Sequence, residues 1–233
     1  MLAWKMYSDD NEDLMPASTS TSYGAPEWSG MGEGGSGAPG WLDLPVNHEG
    51  EINPALTVSK SPIMPYLGGA TQVFRDPADK SGGSIASYRN GEWTPRVRSY
   101  SMNNWIGGDW GNSGTEWRSF RKSSDLIDPA PSNLWVLITE REDSINDEFF
   151  VVDMKGYPSG GRSTRIVDYP ASYHGGAGAL AFADGHAEIK KWLDGRTMPQ
   201  LQKGQELQLD VPSPGNQDVF WMQQRSTSRK DGL

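Results

Sequence analysis

The chain has no cysteine among its 233 residues. A disulfide framework and a thiolate metal site are therefore both excluded, and any bound metal must use His, Asp, Glu or amide oxygen. Long apolar runs are also missing: nothing approaches the ~20 residues needed to cross a bilayer as a helix. Positive charge is in deficit, with 21 Lys and Arg against 30 Asp and Glu, for a net charge of −9. That balance argues against nucleic acid and against an anionic membrane surface as partners, because both need a basic patch that overcomes the global field. The sequence carries no nucleophile elbow, no His-Glu-x-x-His helix and no Gly-rich phosphate loop, so it offers no ready catalytic motif.

What the chain has in plenty is Gly, Pro and Trp. With 28 Gly and 16 Pro, a hydrophobic fraction of 35% and a mean hydropathy of −0.64, loops and turns must occupy much of its length. Ten Trp are spread from Trp4 to Trp221, and in a loop-rich protein most are expected to pin loops to the body. One domain of α+β class is expected, an antiparallel sheet with long excursions. In order, the expected parts are a helix stump and exit loop over 1–13, a long loop region over 14–70, the sheet over 71–192 and a wrapping tail over 193–233.

The helix reads from Leu2 and is expected to stop by Tyr7 or Ser8, because Asp9, Asp10, Glu12 and Asp13 oppose the macrodipole at a C-terminus. The Ser-, Thr-, Gly- and Pro-rich stretch from Pro16 to Pro45 is far longer than ordinary connections of about 4–6 residues. Pro54, Pro62 and Pro65 break the next segment into short helical turns, and Gln72-Val73-Phe74 reads as extended. Arg96–Asn103 alternates and predicts a strand. Leu134–Glu140 is nearly all apolar and β-prone, which predicts a central strand buried on both faces. Short strands are expected at Phe149–Val152 and Arg165–Val167, and a hairpin around Asp184-Gly185. If those two residues form a type I′ loop, Phe182 faces Ala187 and Leu180 faces Ile189.

Two features carry candidate site chemistry. Asp143, Asn146 and Asp147, flanked by Glu140 and Asp153, present hard oxygen ligands at close spacing, which suits calcium; the spacing lacks the alternating acids and central Gly of an EF-hand, and a solvated acidic turn is the competing reading. His174 and Asp184 stand with nine residues between them, followed by Gly185. The structural reading has Asp184 capping its own turn and His174 bonded to a carbonyl or carboxylate near the hairpin base; metal ligation and a His/Asp catalytic pair are the rivals.

In order along the chain, Leu2–Asn11, Phe74–Asp79, Arg98–Asn103, Asp143–Asp147, Ala181–His186 and Asp218–Trp221 resemble the prepilin-type proteins with a His-x9-Asp-Gly domain. Those proteins are similar to type II secretion G-type pseudopilins. Asp76 stands where that family often has Cys. The resemblance implies a pilin-like ectodomain, exported to the periplasm or cell surface and anchored by an apolar helix upstream of Leu2. It also implies assembly with other pilin-like subunits into a pilus-like filament or pseudopilus, with no catalytic activity. Two rivals remain beside it. One is a surface module that holds carbohydrate or an exported protein through calcium and the Trp105, Trp110 and Trp117 rings. The other is a metal hydrolase built on His174, Asp184 and Asp143.

Overall fold

The apolar run around Val136 forms the middle of the molecule. It is strand β4 (Trp135–Thr139), third in a five-stranded sheet of spatial order β5-β3-β4-β7-β8. The flanking strands are β3 (Tyr100–Asn103), β5 (Phe149–Phe150), β7 (Ala177–Phe182) and β8 (Ala187–Lys191). Two small antiparallel pairs stand apart from it, β1 (Gly82–Gly83) with β2 (Thr94–Pro95), and β6 (Arg165–Ile166) with β9 (Val211–Pro212). With helices α1 (Leu2–Asp10) and α2 (Gln217–Gln223) the class is α+β. This computed structural model describes residues 1–19, 25–30, 41–108 and 116–231. Among them no helix is long and apolar enough to cross a membrane. The sheet is mixed rather than antiparallel throughout, because β5 pairs parallel with β3, Met102 opposite Phe149.

β4 is buried on both faces by two separate apolar layers. A β-bulge between Trp135 and Leu137 shifts the register against β7. Val136 and Leu137 therefore both join the layer that holds Trp4, Tyr7, Trp28 and Phe74, while Trp135 and Ile138 join Trp105, Phe150, Leu180 and Trp192 on the other. The first layer is roofed by α1 and the 3-10 turns of 49–74, the second by α2 and the tail. Trp4, Trp28, Trp105, Trp135 and Trp192 are among the most deeply buried side chains, in line with their expected role as anchors.

The hairpin β7–β8 forms, but one residue out of the expected register. Leu180 pairs with Glu188 and Ala179 with Ile189, so Ala183-Asp184-Gly185 is a three-residue loop. The backbone explains the difference. Only Gly185 has positive φ, at 107°, whereas a type I′ turn needs two such residues. Asp184 instead accepts the N–H of His186 at 3.1 Å, and the His186 ring stacks on Phe182 at 4.3 Å. β7 keeps its buried face; β8 is the strand that slips, which leaves Ile189 62% exposed on the sheet edge. Gly185→Val is expected to destabilise by about 1–3 kcal/mol, since a β-branched residue resists positive φ. An unchanged urea midpoint would defeat that account of the turn.

Three further expectations are corrected. α1 does not stop at Ser8 but runs to Asp10: Asn11 donates its side-chain amide to Tyr7 O at 2.7 Å and its N–H to Ser8 O at 3.2 Å, satisfying the last carbonyls despite the acids. Thr71–Phe74 is a 3-10 turn, not an extended piece, while the short turns expected over 53–67 are present at Pro54–Leu56, Val58–Lys60 and Met64–Leu67. The tail does more than wrap the surface. Asn216 caps α2 by accepting from Asp218 and Val219 N–H, and Val219 and Met222 enter the second apolar layer. Ser226 then accepts from the Trp135 indole and from the Asn103 amide, both at 3.0 Å, so the tail is bonded to the central strands. Of the Pro16–Pro45 excursion, 20–24 and 31–40 lie outside the described residues.

Candidate metal centre

The acidic loop folds into a buried charge cluster, and its expected ligands each have separate work. Asp143 holds Arg141 through both carboxylate oxygens and also accepts Gln202 N–H at 2.6 Å. Asp153 accepts Lys155 N–H at 2.9 Å and pairs with the Lys155 ammonium at 3.6 Å. Asn146 and Asp147 cap the backbone N–H groups of Asp147 and Phe149. Glu140 is buried, with one oxygen accepting Ser144 Oγ at 2.7 Å and the other, Oε2, without a hydrogen-bond partner.

Burial drives the ionisation of this cluster. It pushes Glu140 up to about 8 and, with the charge of Glu27, Glu148 up to about 7. Asp147 and Asp168 are also raised well above ordinary carboxylates, first by burial and then by neighbouring acids. The cation among them is Arg98, wholly buried, which donates to Tyr100 O at 2.6 Å, to Ser101 Oγ at 3.0 Å and to Asp147 O.

His174 and Asp184 are held by different partners. His174 Nε2 lies 2.8 Å from Oδ2 of buried Asp76, so the histidine at the hairpin base is bonded to a carboxylate. Asp184 at the tip contacts His186 Nδ1 at 2.6 Å. Asp143, the third residue of the hydrolase reading, is engaged with Arg141.

A metal-capable group forms elsewhere. Among the described residues, one set of three or more His, Asp or Glu side chains brings an atom each within 4.8 Å of one another: Asp43, His48 and Glu51. Asp43 lies at the end of the long Pro16–Pro45 excursion, and His48 and Glu51 follow just after it. His48 Nε2 is 3.6 Å from Glu51 Oε1 and 3.9 Å from Asp43 Oδ2. The local chain positions them. Glu51 belongs to the 3-10 turn Glu49–Glu51, and its Oε1 folds back to accept Asn47 N–H at 2.8 Å and His48 N–H at 3.3 Å. Asn47 Nδ2 in turn donates to Asp43 Oδ2 at 3.0 Å. Glu51 is wholly buried, with Arg96 Nε 3.8 Å from its Oε2, and burial raises its pKa.

Sequence reasoning passed over these residues because the whole of 14–70 read as loop. A signal was present: a histidine with acids five positions before and one and three after, Asp43-x4-His48-Glu49-x-Glu51. Such a group could hold a metal ion, and its donors do not single out calcium.

The aromatic platform of the rival binding-module reading, on the Trp105–Trp117 loop, is not assembled from the described residues. Trp105 is buried, with its indole N–H bonded to Val152 O at 3.0 Å. Trp117 is half-buried, edge-on to Tyr157 at 5.8 Å and beneath the Arg229 guanidinium. Trp110 lies outside the described residues. Comparison of the chain with protein-family models, with curated proteins and with solved structures finds no match.

Proposed function

We propose that the chain is a non-catalytic structural subunit that assembles with other pilin-like subunits into a pilus-like filament or a secretion pseudopilus, exported to the periplasm or cell surface. The observation that carries this reading is the placement of α1. Its inner face, Ala3, Trp4 and Tyr7, is sealed into the first apolar layer. Its outer face keeps apolar side chains too, with Leu2 73% and Met6 41% exposed at i, i+4 spacing. Beside Met1–Ala3 opens an apolar cleft of about 360 Å³, walled by Trp28, Ile63, Tyr66, Phe74 and Leu137. Leu2 and Met6 share that outer face with Lys5, Asp9 and Asp10; covering the apolar pair at its N-terminal end is favourable, and the adjoining apolar cleft extends the area available to a partner.

The absence of cysteine supplies a clean test. Leu2→Cys and Met6→Cys, each the sole thiol of the full chain expressed in its source cells, are expected to give oxidative cross-links to other subunits in the envelope fraction. Ile127→Cys, replacing a side chain also 73% exposed, is the comparison. Cross-linking no greater than at Ile127, or a chain confined to the cytoplasm, would defeat the reading.

A further inference from the structure

We propose that Asp43, His48 and Glu51 bind one divalent ion of the zinc class, which fastens the N-terminal excursion to the body of the protein. The first ground is geometry. Zinc sits about 2.0–2.2 Å from nitrogen and oxygen donors, which sets tetrahedral donors roughly 3.3–3.6 Å apart. The observed separations of 3.6 Å and 3.9 Å from His48 Nε2 need only a small closure to reach that spacing, and they are too long for direct hydrogen bonds.

The second ground is independent of spacing. His48 Nε2 is enclosed by protein and has no hydrogen-bond partner, and Oε2 of wholly buried Glu51 has none either. Buried polar atoms are ordinarily bonded, and an imidazole nitrogen left open toward two carboxylates lacks what an ion would supply.

Donor chemistry selects the class of ion. Calcium takes six to eight oxygens, and magnesium demands an octahedron rich in water; one imidazole with two carboxylates suits zinc and its borderline neighbours. The orienting shell is in place, with Asn47 Nδ2 on Asp43 Oδ2 and the Asn47 and His48 N–H groups on Glu51 Oε1. The structural consequence follows from what Glu51 and Arg96 touch. Glu51 O accepts Val97 N–H at 2.8 Å, and Arg96 donates to Glu142 O at 2.8 Å and Ile145 O at 3.3 Å. An ion bridging Asp43, His48 and Glu51 would therefore close the 43–51 segment against both the strand region and the acidic loop.

The experiment is zinc titration of the full chain stripped with chelator, read by isothermal calorimetry and by thermal melting, with calcium and magnesium in parallel. One zinc per chain is expected, with a higher melting temperature on binding, as mass action on the native state requires. His48→Gln is expected to weaken zinc more than about tenfold, and Asp43→Asn likewise. His48→Gln removes no Nε2 hydrogen bond and keeps a side chain able to accept at the cap of the 49–51 turn, so the fold is expected to hold, with circular dichroism as the check; it remains decisive should Asp43→Asn unfold. His186→Gln, which removes the imidazole between Asp184 and Glu188 on the surface, is expected to leave the affinity unchanged. Absence of zinc binding, equal binding by His48→Gln, loss of binding in His186→Gln, or stabilisation by calcium in preference to zinc would each overturn the proposal.

Discussion

The melting temperature of the protein is expected to fall as pH rises from 5 to 8, the reverse of what paired surface carboxylates produce. Glu140, pushed up to about 8, and Glu148, pushed up to about 7, bind protons more tightly in the folded chain than in the unfolded one. A carboxyl raised in this way contributes stability that is complete below its unfolded pKa, about 4.5, and is lost as pH climbs through the folded value. Asp147 and Asp168 are raised in the same sense. The lowered carboxyls, Asp13, Asp184 and Asp194, are near the surface and lose their contribution only as the solution becomes acidic, below this window; the Met1 ammonium, lowered by burial, opposes the trend as a single group.

For Glu140 alone the loss between pH 5 and pH 8 is on the order of 3 kcal/mol, which for a chain of this length is roughly 6–12 °C. Glu140→Gln keeps the shape and removes the titration, so its melting curve should flatten across the same range and its advantage over the parent should grow with pH. A melting temperature that is flat or rising between pH 5 and 8, or a parallel curve for Glu140→Gln, would show that the cluster is solvated or charge-compensated in solution.

The largest single-residue loss is expected at Arg98. Its guanidinium is buried among Glu148, Glu140, Glu27 and Asp147, and burial lowers its own pKa while those acids oppose the change. Arg98→Met would remove the cation and leave Tyr100 O, Asp147 O and Ser101 Oγ without the donors they now accept from. Breaking a buried ion pair from one side costs about 3–5 kcal/mol. Because the loss comes from stranded negative charge, the double variant Arg98→Met, Glu140→Gln should recover more than about 1 kcal/mol of it at pH 8 and less at pH 5. Urea unfolding of the two singles and the double at both pH values measures this coupling. A single variant within 1 kcal/mol of the parent, or strict additivity at pH 8, would mean that the cation does not hold the cluster together.

Where local chemistry left one solution, the sequence by itself determined the structure. Leu134–Glu140, short, nearly all apolar and rich in β-prone residues, pointed to a strand buried on both faces, and Trp135–Thr139 became the third of five strands. Prolines at 54, 62 and 65 allowed nothing longer than the turns that formed. Absence of cysteine and the net charge of −9 restricted site chemistry before any fold was known. Where two local solutions have similar energies, the tertiary structure decided. Asp184-Gly185 accommodates a two- or a three-residue loop. The stacking of His186 on Phe182, with Ile189 turned outward on a free edge, accompanies the three-residue form.

α2 is only seven residues, too short to hold by itself; it exists because Val219 and Met222 meet an apolar layer built by strands far away in the chain. The sites divide in the same way. Acids at 140–153 announced a charged loop, but their burial around Arg98 and beside Asp168 is a product of the fold, which sequence distance hides. Asp43, His48 and Glu51 are neighbours in sequence. Yet the burial of Glu51 comes from packing against Arg96 and Val97, which lie about 45 residues further along the chain.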